Sequence, residues 1–181
     1  MQFQFDKAKE VTHIDGQQML VSRTARMVLP QNFIGVGIDP GKNFGIGIVY
    51  NGDVIAIWGR LPDRDDKWEN VKDAYRLGRR LMERFMVPMP IVIEGPAFGA
   101  KFGQPALANL RAAFYLGLHS HQMRVAECVV LPPATIRKRV LGDGNKHGKE
   151  CWPDLNPNAA DAVVMSMLAA GLSYNDKKDF T

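Results

Sequence analysis

Apolar positions recur with two different periods along this chain, and the changes of period mark out its elements. Three β-branched runs follow one another at about 33–39, 44–50 and 53–59 and read as strands. Asn51-Gly52 between the last two is a strong hairpin signal, because a two-residue turn of this kind needs positive φ. Asp63-Arg64-Asp65-Asp66 reads as a solvated loop. Over 68–86 the apolar positions Val71, Ala74, Gly78, Leu81 and Phe85 fall at helical spacing. Val87-Pro88-Met89-Pro90 ends that helix. Ile91–Glu94 is a strand. A second helix covers 105–122, with Leu107, Leu110, Phe114 and Leu118 on one side, and 125–131 is a fifth core strand. Pro132-Pro133 punctuates the chain before a short helix over 134–140. A loop rich in Gly, Lys and Asn runs to Asn158, and residues 159–172 form the last helix.

Residues 1–32 are more polar and less periodic. Gln2-Phe3-Gln4-Phe5 alternates as an edge strand would, and Met19-Leu20-Val21-Ser22 reads as another, with Asp15-Gly16 as the turn before it. The chain therefore divides into an N-terminal extension (1–32), a core domain (33–174) and a charged tail (175–181). Three consecutive strands feeding alternating helices and strands predict an α/β fold, a mixed five-stranded sheet flanked by helices.

Composition narrows the class without naming a function. With 181 residues, 46% hydrophobic and 23% charged, the chain has the profile of one globular domain with a substantial core. No apolar run is long enough to span a bilayer. The start, MQFQFDKAKE, carries acids and lacks an apolar stretch, unlike a signal peptide. Two cysteines, Cys128 and Cys151, suit a reducing cytoplasm, and with the histidines they lack the tight spacing of a zinc site. A net charge of +4 and a pI near 9.1 mildly favour a polyanionic partner.

Three acids stand where acids are costly. Asp39 and Glu94 each close a buried strand, and Asp161 opens the apolar run of the last helix. A carboxylate at the end of a core strand requires a positive partner, and a hard divalent cation is one that several carboxylates can share. Singly, each has an ordinary reading: Asp39 before Pro40-Gly41 as a turn residue, Asp161 as a complement to a helix dipole, Asn158 as a helix N-cap.

The order of these features resembles the RNase H-like fold, and the local sequences resemble the RuvC family of Holliday-junction resolvases. Gly35-Val36-Gly37-Ile38-Asp39-Pro40-Gly41 is similar to that family's first motif, and Val92-Ile93-Glu94 to its second. Leu131-Pro132-Pro133 through Gly142-Asp143-Gly144 resembles the basic segment before the last motif. Asn158-Ala159-Ala160-Asp161-Ala162 resembles the terminal Asp-Ala-Ala-Asp-Ala motif. The resemblance covers about 33–172. It implies Asp39, Glu94, Asp161 and Asn158 as catalytic residues and as metal ligands, holding two Mg²⁺ ions (or Mn²⁺) per site. Asn158 replaces an acid common in the family, so one ligand is neutral. The stretch from Gly144 to Asn158 is shorter than the family's, and the N-terminal extension has no counterpart there.

The implied activity is a metal-dependent endodeoxyribonuclease that resolves four-way DNA junctions by paired hydrolysis. The implied partners are branched DNA and a second copy of the chain in a homodimer, with 105–122 as the candidate interface and no membrane or nucleotide cofactor. Arg137, Lys138, Arg139, Lys146 and Lys149 are candidate phosphate contacts. Phe98 and Phe102 are candidate stacking residues for splayed bases, and His147 is a candidate proton relay or substitute ligand. Arg76, Arg79, Arg80 and Arg84 read as a solvent face. A less selective branch or flap nuclease, and a junction binder that does not cut, are the alternatives. Gly37-Ile38-Asp39 also fits the phosphate hairpin of actin-like ATPases, but those need two such domains. The expected location is the cytoplasm of a bacterium, or of an infected host if the protein is phage-encoded.

Overall fold

A computed structural model describes residues 10–14, 17–23, 33–51, 53–63, 65–83, 87–96, 104–120 and 125–172. Seven strands form one mixed sheet in the order β1-β2-β5-β4-β3-β6-β7. The core strands are β3 (Gly35–Asp39), β4 (Asn43–Tyr50), β5 (Asp53–Arg60), β6 (Met89–Glu94) and β7 (Val125–Leu131). β3, β4 and β5 are antiparallel neighbours, whereas β3–β6 and β6–β7 are parallel. This is the predicted mixed five-stranded sheet. The hairpin falls where expected: Tyr50 pairs with Asp53, and Asn51 has φ 51°.

Two further strands, β1 (Glu10–Ile14) and β2 (Gln17–Arg23), pair with each other and lengthen the sheet beyond β5. β2 contains the expected 19–22. The other expected strand, 2–5, and the turn at Asp15-Gly16 lie outside the described residues.

Helices cover both faces, and strand periodicity decides which residue meets which layer. On one face Val36, Ile38, Phe44, Ile46, Ile48, Ile91 and Ile93 pack against α1 (Lys67–Glu83) and α2 (Gln104–His119). The other face carries Val49, Val92 and the buried residues of α3 (Pro133–Leu141) and α5 (Pro157–Ala169). Trp152 and Leu155 complete that second core.

The odd-numbered positions of β3 and β4 on the α5 face are unusual. Gly35 and Gly37 lie on β3, Gly45 and Gly47 on β4, and Gly37 pairs directly with Gly47. A Cβ at any of the four would collide with the backbone of α5: at Ala170 and Ser166 for Gly35, at Ala162 for Gly37 and Gly47, and at Asn158 for Gly45. The sheet has shed its side chains along this line, so the α5 backbone rests directly on the strands. Gly78 and Gly117 bring α1 and α2 together in the same way.

Two expectations need correction near the C-terminus. The loop expected to run to Asn158 contains a short helix, α4 (Gly148–Cys151), closed by a capping box in which His147 N–H donates to Glu150 Oε1 at 2.7 Å. The last helix begins at Pro157, before the expected 159, and ends at Ala169. Pro157 suits the first helical turn, and the side chain of Asn156 accepts from the N–H of Asn158 at 3.0 Å. Asn156 is therefore the cap, the role the sequence offered to Asn158.

Candidate active site

Parallel register brings the first two acids together. Ile38 pairs with Ile93, so Asp39 and Glu94 stand side by side where β3 and β6 end. Both follow the alternation that points toward α5, since Ile38 and Ile93 face the opposite core. Ligand sites of α/β sheets commonly form at the carboxyl ends of parallel strands. Opposite Asp39 on β4 is Gly45, which leaves room for the first turn of α5. That turn carries Asn158, and Asp161 follows within the same helix.

The electrostatics show that the three acids share one field. Burial pushes the Asp39 carboxyl well above the usual range, and Glu94 and Asp161 push it further, against Arg137 and Arg111. Burial also raises Glu94, with Asp161 adding to it, while Arg137, Arg111 and a hydrogen bond from Asp39 pull it back. Burial and mutual repulsion both disfavour the charged forms of this pair, which a cation would relieve.

Asp161 is differently held. Its Oδ1 accepts from Gly148 N–H at 2.7 Å, and its Oδ2 accepts from Arg137 Nη2 at 2.8 Å. His147 Nδ1 lies 3.6 Å from Oδ2, and Arg137 Nη1 lies 3.5 Å from His147 Nε2. Gly148 reaches Asp161 because it is a glycine: a Cβ there would strike the backbone of Ala160. Asn158 Nδ2 donates to the Asn43 carbonyl at 2.7 Å, which ties the start of α5 to the start of β4. An aspartate there would set a carboxylate against that carbonyl.

Arg111 is the site residue that the sequence reading missed. Its Nε donates to the Glu94 carbonyl at 2.6 Å. Burial lowers its pKa, while Glu94 and Asp39 raise it. The signal was present: Arg111 is the one Lys, Arg, Asp or Glu in the otherwise uncharged 104–118 segment.

The remaining basic candidates spread out. Lys138, Arg139 and Lys149 are exposed, and Lys146 is partly covered. Arg139 faces the β6–β7 side, near Glu127. Phe98, Phe102 and Arg84 lie outside the described residues. Arg76, Arg79 and Arg80 are exposed and pair with Asp73 and Glu83, as a solvent face would.

Solved structures share this architecture. RuvC of Thermus thermophilus in complex with a Holliday junction substrate aligns with a TM-score of 0.55 and 14% identity, covering 75% of this chain and 91% of that chain. A second Thermus thermophilus RuvC structure aligns equally well, at 74% and 90%. The fold is RuvC-like. No family model matches the sequence, and no curated protein matches it.

The donor set at these strand ends can be compared with what a divalent cation needs. Asp39 and Glu94 fit: they are oxygen donors, adjacent, and short of positive charge. Asp161 enters their field but is already bonded through both oxygens. Among the described residues no three His, Cys, Asp or Glu side chains form a ready-made ligand group. No helix among them is long and apolar enough to cross a membrane.

Proposed function

We propose that this protein is a divalent-metal-dependent endonuclease of branched DNA that resolves four-way junctions. The observation that carries this reading is the convergence of Asp39, Glu94 and Asp161 at the strand ends of a RuvC-like sheet. Asp39 and Glu94 would hold the cation, with Asp161 and the Asn158 carbonyl oxygen completing its surroundings. When bound, divalent ions supply Lewis acidity and charge neutralisation for phosphodiester hydrolysis. Arg111 is tied to the Glu94 backbone through Nε and would present its guanidinium to a phosphate. Arg137 is the second guanidinium at the site. Lys138, Lys146 and Lys149, exposed or partly covered, would add phosphate contacts, with Arg139 turned toward the β6–β7 side.

Resolution of a junction needs two opposed cuts, so the reading includes a symmetric homodimer. The α1–α2 layer supports it. Trp68, Tyr75, Tyr115 and Leu116 are exposed there, and Trp68, Val71, Tyr75, Ala112 and Leu116 help to line a cleft of about 610 Å³. An exposed apolar patch of this kind marks an interaction surface.

A junction binder that does not cut is the competing reading, and the engagement of Asp161 by Arg137 favours it. One experiment separates the two. A labelled four-way junction and a matched linear duplex are incubated with the protein in Mg²⁺ and in EDTA, beside Asp39→Asn. Paired nicks in the junction alone, lost in EDTA and in the variant, are expected. Binding without nicks in Mg²⁺ and Mn²⁺ alike would leave only the non-cutting reading.

A further inference from the structure

We propose that Arg137 competes with the cation for Asp161, so that the DNA-free site is latched. The inference rests on reading the acids as a cation site, and it concerns how that site is regulated. Both oxygens of Asp161 are engaged, one by Gly148 N–H and one by Arg137 Nη2. The pair is withdrawn from water, the two side chains being 16% and 14% exposed. Solvent therefore screens it weakly. His147 flanks both partners.

The guanidinium also acts beyond Asp161. Its charge also lies within electrostatic reach of Asp39 and Glu94, so it supplies part of the positive charge that the acids lack. A cation entering the site must displace Arg137 from the carboxylate or approach it at close range, and either is costly. The two tethers differ in kind. The Gly148 N–H belongs to the backbone and is fixed against α5, whereas the guanidinium ends a long side chain rooted on α3. The arginine is thus the part that can leave. A phosphodiester offers its planar fork an equivalent partner. A phosphate that drew Arg137 away would free Oδ2 and remove the opposing charge, and so would couple DNA binding to cation binding.

A merely structural Arg137 predicts the opposite sign. If it served to hold Asp161 ready for the ion, removing it would weaken ion binding. The test is a Mn²⁺ titration of the DNA-free full chain, followed by calorimetry and by the electron paramagnetic resonance of free Mn²⁺. Wild type, Arg137→Gln, Arg137→Lys and Asp39→Asn are compared. Arg137→Gln is expected to bind Mn²⁺ about tenfold more tightly than wild type, a typical size for coupled sites. Arg137→Lys, which keeps the charge and loses the fork, should fall between them. It also serves if the Gln variant does not fold. Equal or weaker Mn²⁺ binding in the folded variants would overturn the latch and leave the nuclease reading intact. Mn²⁺ binding unchanged in Asp39→Asn would overturn the acids as the cation site, and the latch with it.

Discussion

At the scale of single residues, Asp39 sacrifices stability. Folding raises its pKa through burial and through the neighbouring carboxylates. The folded state therefore holds a proton that the unfolded chain releases at lower pH. The sign follows: this group contributes its stability at acid pH and loses it as pH rises from the ordinary carboxylate value through the raised one. Without divalent cation at pH 7, Asp39→Asn should melt a few degrees above wild type, on the order of 1 kcal/mol. The gain should shrink below about pH 4, where the carboxyl is protonated in both states. Scanning calorimetry across that range checks this, and a variant less stable than wild type at pH 7 would refute it. The acids themselves were legible in the sequence, because a carboxylate ending a β-branched run is conspicuous. Arg111 was passed over because the reading of its helix attended to the apolar side alone. What it bonds, the Glu94 carbonyl, is a backbone atom that no side-chain pattern announces.

Among elements, α5 shows where sequence patterns stop being informative. Its existence was plain from its apolar run, but its start was misplaced because Asn156 and Asn158 are both plausible caps. Geometry chose Asn156, whose oxygen meets the N–H of Asn158. Asn156→Ala should cost about 1 kcal/mol, read as a lowered urea midpoint with unchanged slope. α4 was missed altogether, being a single turn within a run of loop-forming residues. The glycines of β3 were read as parts of a motif and those of β4 only as positions in a strand, and their packing role emerged only once α5 was seen lying across them. Gly47→Ala, which drives a methyl into the Ala162 backbone, should destabilise by roughly 3 kcal/mol, at the upper end for overpacking. Thermal unfolding of the purified variant measures it, and a shift within error would show that α5 can lift without cost.

The whole molecule was readable in outline. The five core strands, the major helices and their order follow from periodicity and turn chemistry, and the sheet is the one that order implied. Strand order cannot be read that way, since the parallel placement of β6 beside β3 depends on packing across the full sheet. Nor does periodicity say what covers the outer surface of α1 and α2, where Trp68 is 55% and Leu116 60% exposed. On the homodimer reading, sedimentation should show a concentration-dependent dimer, and Leu116→Glu should shift it to monomer with its melting temperature nearly unchanged. A wild-type protein monomeric at high concentration would remove that face from consideration.

The seat of α5 has one more consequence. Cores drift: over generations one apolar residue replaces another, and packed elements slide to fit. Where a helix lies peptide upon peptide there is nothing to exchange, so its height above the strands is insulated from that drift. The separation between Asp161 and the two strand-end acids is inherited from four absent methyl groups. An arrangement suspended this way tolerates the turnover of nearly every side chain around it.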